Sequence, residues 1–250
     1  MAGPAPPRLD AEKKSLAASE RNEAARTAWR EAVAQLDPQQ FVFVDESGTH
    51  TALTRWYGWA PHNQRATGSV PRNHGKHTTL VAALTPDGLR VPWLIEGAMN
   101  TPTFEWYIAE ELGPTLRPGQ VVVLDNLSVH KAASIRQALA ARGCDLLFLP
   151  PYSPDFTPIE QAFSKLKAIL RGLGARTHEA LWEAMRVALD AITPLTRSPG
   201  SPTLDTPCLL KHIESCSRRS RGPSQLLAVA HTTLPFLQNS RIVAAPDCQK

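Results

Sequence analysis

The sequence predicts an α/β domain in which a mixed five-stranded sheet is flanked by helices, and three observations carry that reading. Two short runs of β-branched and aromatic residues, Phe41 to Val44 and Val121 to Leu124, are of strand length, and each is followed by an aspartate, Asp45 and Asp125. Between them lie extended segments joined by turn residues such as Thr85-Pro86-Asp87-Gly88, which implies antiparallel neighbours. Beyond Gly97, strand-like and helix-like segments alternate at the spacing of right-handed crossovers, which gives the sheet a parallel half.

The elements follow in order. Residues 11–36 have a helical composition with apolar positions at Leu16, Ala24, Ala25, Ala28, Trp29, Ala32 and Leu36, and Asp37-Pro38 ends the segment. Phe41 to Val44 begins a strand; residues 51–60, 78–84 and 89–95 read as further extended pieces. A helix near Thr103 to Leu112, the strand Val121 to Leu124, a helix near Lys131 to Ala141 and the strand Leu146 to Leu149 come next. Helices near Pro158 to Leu170 and His178 to Ala191 close the pattern, the first with a core stripe of Ile159, Phe163, Leu166 and Leu170. Trp56, Trp59, Trp93 and Trp106 fall in apolar patterns and read as core. The domain therefore spans 39–194, after a helical linker over 1–38. Residues 195–250, rich in Ser, Pro, Arg and Thr without periodicity, read as a disordered tail unrelated to the domain.

Composition excludes several classes. A chain of 250 residues, 42% hydrophobic, suits one domain with flanks, and no apolar run is long enough to span a bilayer. The first residues, Met-Ala-Gly-Pro-Ala-Pro-Pro, have neither the basic nor the apolar segment of a signal peptide, so a cytoplasmic protein is expected. Cys144, Cys208, Cys216 and Cys248 form no C-x-x-C pair, which argues against a disulfide framework or a zinc site. Charge is uneven: residues 1–194 hold 20 Lys and Arg against 20 Asp and Glu, and 195–250 hold 7 against 3, so the net charge of +4 lies in the tail. A neutral body makes DNA contact a matter of local basic stripes.

The acids Asp45, Asp125 and Glu160 are the candidate chemistry. Two follow buried strands and the third opens an amphipathic helix after a Pro-rich loop, so three hard oxygen ligands from three elements can converge on divalent cations. Each has a plainer reading. Asp45 in Asp-Glu-Ser-Gly fits a turn, Asp125-Asn126 fits a helix cap, and Thr157-Pro158-Ile159-Glu160 fits a capping box that would turn Glu160 back on its own helix. The spacing of the three acids, with Leu-Asp-Asn-Leu-Ser-Val-His-Lys (124–131) and Leu-Pro-Pro-Tyr-Ser-Pro-Asp-Phe-Thr-Pro-Ile-Glu (149–160), resembles the catalytic domain of DDE transposases. The nearest likeness is to the bacterial insertion-sequence group related to mariner transposases, over roughly residues 10–194. Phe156-Thr157 departs from the Leu-Asn more usual there, in a loop and not at a ligand.

The resemblance implies a ribonuclease-H-like sheet of the retroviral-integrase kind and two Mg²⁺ or Mn²⁺ ions, with Asp45 bridging, Asp125 completing one site and Glu160 holding the other. It implies cleavage of phosphodiesters at transposon ends and transfer of the strand to target DNA. It also implies a homodimer on that DNA in a bacterial cytoplasm, associated with the nucleoid. Its helix-turn-helix modules find no match before Asp45, so an adjacent reading frame is expected to supply them. A closing aromatic motif likewise finds no match in the tail. The competing expectation is a catalytically silent, truncated remnant.

Around the triad, Asn126 and His130 are candidates to orient a ligand, or to make only structural hydrogen bonds. Arg65, Arg72 and Lys76, in a basic loop with His62, His74 and His77, and Lys167 and Arg171, on the helix face of Glu160, are candidate phosphate contacts; solvated surface charge is the plainer account of both. No G-x-S-x-G accompanies Ser47 or Ser128, so a serine hydrolase is excluded.

Overall fold

The computed structural model describes residues 18–75 and 77–192. Residues 1–17, Lys76 and the segment 193–250, with the tail, its cysteines and the outer part of the linker, lie outside the described residues.

One five-stranded sheet organises the domain, in the order β3-β2-β1-β4-β5. Strands β1 (Phe41–Thr49), β2 (Thr78–Thr85) and β3 (Gly88–Glu96) pair antiparallel, whereas β4 (Val121–Leu124) and β5 (Asp145–Phe148) join parallel to β1 and to each other. Helix α1 (Glu23–Val33) precedes the sheet. Helix α2 (Thr101–Trp106), which continues as a π-helical turn over Tyr107–Leu112, and helix α3 (Ala133–Ala140) follow its antiparallel half and β4. Helices α4 (Ile159–Leu173) and α5 (His178–Ile192) end the described chain.

Alternation along the strands splits the core in two. Phe41, Phe43, Val121 and Val123 face Trp29 and Val33 of α1, Phe163, Leu166 and Leu170 of α4, and Met185 of α5. Val42, Val44, Val122 and Leu124 face Phe104, Tyr107 and Ile108 of the second helical segment and Ile135 and Leu139 of α3. Each strand is apolar on both sides because both sheet faces are covered. The expected stripe of α4 is the one buried, Ile159, Phe163, Leu166 and Leu170.

Three expectations are corrected. Residues 51–60 form no strand; residues 50–77 are a long connection from β1, which runs on to Thr49, to β2, which pairs with it there through Thr49↔Thr78. Trp93 is buried, but Trp56 and Trp59 stand exposed on that connection, and Trp106 is partly exposed beside Trp93. The apolar face expected of the first helix is also shifted: Ala24, Ala28 and Ala32 are exposed, and the buried positions are Arg26, Trp29 and Val33, at helical separations of three and four.

Arg26 is fully buried, and its burial has a cause. Its guanidinium donates to Asp155 Oδ1 at 2.9 Å and Oδ2 at 2.6 Å and lies 3.8 Å over the ring of Phe156, which Trp29 stacks at 5.0 Å. The two-pronged geometry is what a planar guanidinium offers a carboxylate. Helix α1 thus packs on the loop that precedes α4, and the departure Phe156 is a core residue, not a loop surface.

Candidate functional site

Two of the candidate acids lie just beyond the parallel ladder of β1 and β4, which pairs Phe41 with Val121 and Phe43 with Val123: Asp45 follows Phe43 by two residues and Asp125 follows Val123 by two. Asp45 shares the parity of Phe41 and Phe43, so it projects to the face covered by α4, whose first turn holds Glu160, whereas Asp125, one residue past β4, meets His130. Contrary to expectation, Asp45 does not end its strand: β1 continues to pair with β2, Asp45 with Ala82. That pairing removes the turn reading. It is β4 that stops at Leu124, and the opening lies where β1 outlasts it.

The capping box also fails to form. Pro158, not Thr157, is the cap of α4, and no side chain caps it. Glu160 is exposed and makes no hydrogen bond or ion pair with a described residue. Asp125 does act locally: its Oδ1 accepts from the backbone N–H of Leu127 at 3.1 Å.

The electrostatics follow from this placement. Asp45 accepts from the backbone N–H of Glu46 at 2.8 Å, but burial pushes its carboxyl up to about 7, with Glu46, Glu160 and Asp125 adding repulsion. His130 is fully buried against Phe104, ring centroids 4.2 Å apart. Its Nδ1 lies 2.5 Å from Asp125 Oδ1 and its Nε2 2.9 Å from Glu46 Oε1. Burial opposes its charge, yet the hydrogen bonds to Asp125 and Glu46 and their negative charge hold it up to about 9. At neutral pH both ring nitrogens therefore donate, and an imidazolium ties two carboxylates together. Oδ2 of Asp125 has no hydrogen-bond partner among the described residues.

Glu46 escaped the sequence reading. Being next to Asp45 in a strand it points to the opposite face, and the only sequence signal was a histidine whose two nitrogens both need partners. Asn126 is half-buried beside Asp125 with no hydrogen bond to a described residue. Lys167 and Arg171 lie on α4, and Arg65 and Arg72 lie exposed on the 50–77 connection, so the basic candidates occupy two separate elements. Lys76 lies outside the described residues.

The model of the DDE superfamily endonucleases matches residues 40–181, more than half of the chain and all of the sheet. The chain belongs to that family. No curated protein matches it. Among solved structures, the DDE domain is similar to Mos1 transposase in its paired-end complex with the left transposon end, with a TM-score of 0.61 and 17% identity over 83% of this chain and 63% of that one. The mariner Mos1 paired-end complex with Mg gives 0.63 and 16% over 84% and 66%, and the Mos1 strand transfer complex 0.57 and 18% over 83% and 62%. At such identities the likeness shows the ribonuclease-H-like fold. The chain spans less than two thirds of the Mos1 chain in these complexes.

The DDE carboxylates fit a divalent metal chemically. All three offer oxygen donors, none is paired with Lys or Arg among the described residues, and the burial and added repulsion that raise Asp45 are what a hard dication would offset. Among the described residues no three His, Cys, Asp or Glu side chains already stand in place around one ion. Closing on a metal therefore takes side-chain rotation, for which exposed Glu160 is free.

Proposed function

We propose that this chain is the catalytic part of a transposase, cleaving phosphodiesters at transposon ends and joining the freed 3′-hydroxyl to target DNA. The observation that carries the reading is the mutual influence of the three acids: burial raises the Asp45 carboxyl to about 7, and Glu160 and Asp125 add repulsion. Asp45, Asp125 and Glu160 would hold Mg²⁺ or Mn²⁺. Bound there, such ions supply Lewis-acid stabilisation of the phosphate and a nucleophile at neutral pH.

The chain's own residues provide the positions. The Asp45 backbone is held in β1 by its pairing with Ala82 of β2, which fixes where its side chain starts. His130 and the Leu127 N–H fix Oδ1 of Asp125, which orients Oδ2 as the free ligand atom. Lys167 and Arg171 on α4, and Arg65, Arg72 and Lys76 on the 50–77 connection, would meet phosphates on either side of the scissile bond. Asn126 would assist beside Asp125.

The partners follow from the same reading. The Mos1 structures are complexes with transposon-end DNA, one with Mg and another with Mn, and the ends of a bacterial insertion sequence are the substrate proposed here. A homodimer would bring two ends together. A helix-turn-helix half from an adjacent frame would select the terminal repeats. No helix among the described residues is long and apolar enough to cross a membrane; a place in the cytoplasm, with the nucleoid when on DNA, belongs to the proposal.

The test is cleavage of pre-nicked and intact terminal-repeat duplexes with Mn²⁺. Asp45→Asn, Asp125→Asn and Glu160→Gln should each abolish cleavage, by about a thousandfold or more, while DNA affinity stays within about twofold. Wild-type rates in any of the three would sink the assignment of that residue, and a silent wild type would favour the remnant.

A further inference from the structure

His130 stands on the single turn Ser128–Lys131 that leads from β4 toward α3, and its ring is fully buried. An imidazole held by one nitrogen can still turn about its bond to the chain, and half a turn would present Cδ2 to Asp125 in place of Nδ1. Two contacts oppose this. Phe104 lies against the ring, centroids 4.2 Å apart, and Glu46 Oε1 lies 2.9 Å from Nε2. The half-turned ring would set Cε1 toward that carboxylate and lose both hydrogen bonds.

Glu46 is a firm point from which to hold a loop. Its backbone belongs to β1, the central strand of the five, and pairs there with Val81 of β2. Its side chain is 14% exposed, and no Lys or Arg pairs with it among the described residues. It points to the sheet face opposite Asp45, the face of Val42 and Val44, so it is no candidate ligand beside Asp45. Asp125, by contrast, stands one residue past the end of β4, and its Oδ1 is held by the Leu127 N–H and the His130 ring.

We propose that Glu46 is a positioning residue for cleavage, acting through Nε2 of His130 to fix the ring that aims Asp125; the inference rests on the reading of Asp125 as a metal ligand and deepens it. The second acceptor, and not the histidine alone, sets the direction in which Oδ2 of Asp125 is offered. The central strand thereby lends its rigidity to a ligand that stands just outside the sheet. This role needs an acceptor at the place of Oε1 and does not need its charge.

The experiment uses the full 250-residue chain. Glu46→Met keeps the length of the side chain without an oxygen acceptor, whereas Glu46→Gln still accepts through its carbonyl oxygen. In calorimetric titration Mn²⁺ affinity should fall by about 10- to 100-fold in Glu46→Met and return to within about threefold of wild type in Glu46→Gln. In a His130→Ala background, Glu46→Met should weaken binding no further. The metal-free protein supplies a second readout: the His130 Nε2–H proton, identified in NMR spectra by its loss in His130→Ala, should exchange slowly in wild type and Glu46→Gln and fast in Glu46→Met. Unchanged affinity in Glu46→Met, a Gln variant as weak as the Met variant, or an additive loss in the double variant overturns the inference and leaves the DNA-cleaving reading standing. Should Glu46→Met fail to fold, fast exchange of the wild-type proton or a Gln variant weakened about tenfold overturns it instead. A wild type that binds no Mn²⁺ removes both readings.

Discussion

At the scale of single residues, His130 decides how the site is held. It links Asp125 at the end of β4 to Glu46 on the opposite face of β1, so it joins the crossover half of the sheet to the hairpin half. His130→Ala would leave two buried-side carboxylates repelling each other, and Mn²⁺ affinity should fall by about 10- to 100-fold in calorimetric titration. An unchanged affinity would show the bridge to be structural only. Asp45 gives the opposite sign: it is strained by burial and like charge, so Asp45→Asn should stabilise the metal-free protein by on the order of 1 kcal/mol in urea unfolding while ending cleavage. A destabilised variant would mean that the carboxylate has a cationic partner after all. The three acids were legible because they stand in recognisable strings; Glu46 was not, because its partner is 84 positions away and nothing local marks the contact.

At the scale of elements, α1 is built into the domain by Arg26, Asp155 and Phe156 and is not a loose linker. Breaking the ion pair from one side strands a buried guanidinium, so Asp155→Ala should cost about 3 kcal/mol, and Phe156→Ala, which opens a cavity under Trp29, about 3 to 5 kcal/mol. Chemical denaturation measures both; a loss below about 1 kcal/mol would mean that α1 rests on the domain without supporting it. Burial raises the Asp155 carboxyl, but the hydrogen bonds and charge of Arg26, with the charge of Arg21, outweigh it and hold the group below the usual carboxylate range. A pKa depressed in the folded state contributes stability above the unfolded value, about pH 4, and loses it as pH falls through the folded value. The difference between wild type and Asp155→Asn should therefore shrink in acid, and a constant gap down to pH 2 would contradict the ion pair. The stripe of α4 was legible because apolar period and burial coincide there. The face of α1 was hidden because an arginine occupies its core position, and 51–60 looked like strand because aromatic residues carry strand propensity whether or not an edge exists to pair them.

At the scale of the molecule, the mixed sheet was readable from element order alone, because alternating strand and helix admit few topologies. Charge was readable only as a sum. The body up to 194 is balanced, yet residues 47–86 hold four Lys and Arg and no Asp or Glu. DNA binding by the chain alone should accordingly be indifferent to sequence and fall steeply between 50 and 200 mM salt, as fluorescence anisotropy would show; a salt-resistant, sequence-specific complex would contradict this. The grip of α1 on the loop before α4 has a hereditary side. Arg26 and Asp155 stand 129 positions apart, and Phe156 shares its cradle with Trp29. When two related genes recombine anywhere between those codons, the offspring inherit a guanidinium from one parent and its seat from the other. Such hybrids would fail at a joint far from any acid of the cleft, and restoring the matching helix, with nothing else altered, should rescue them.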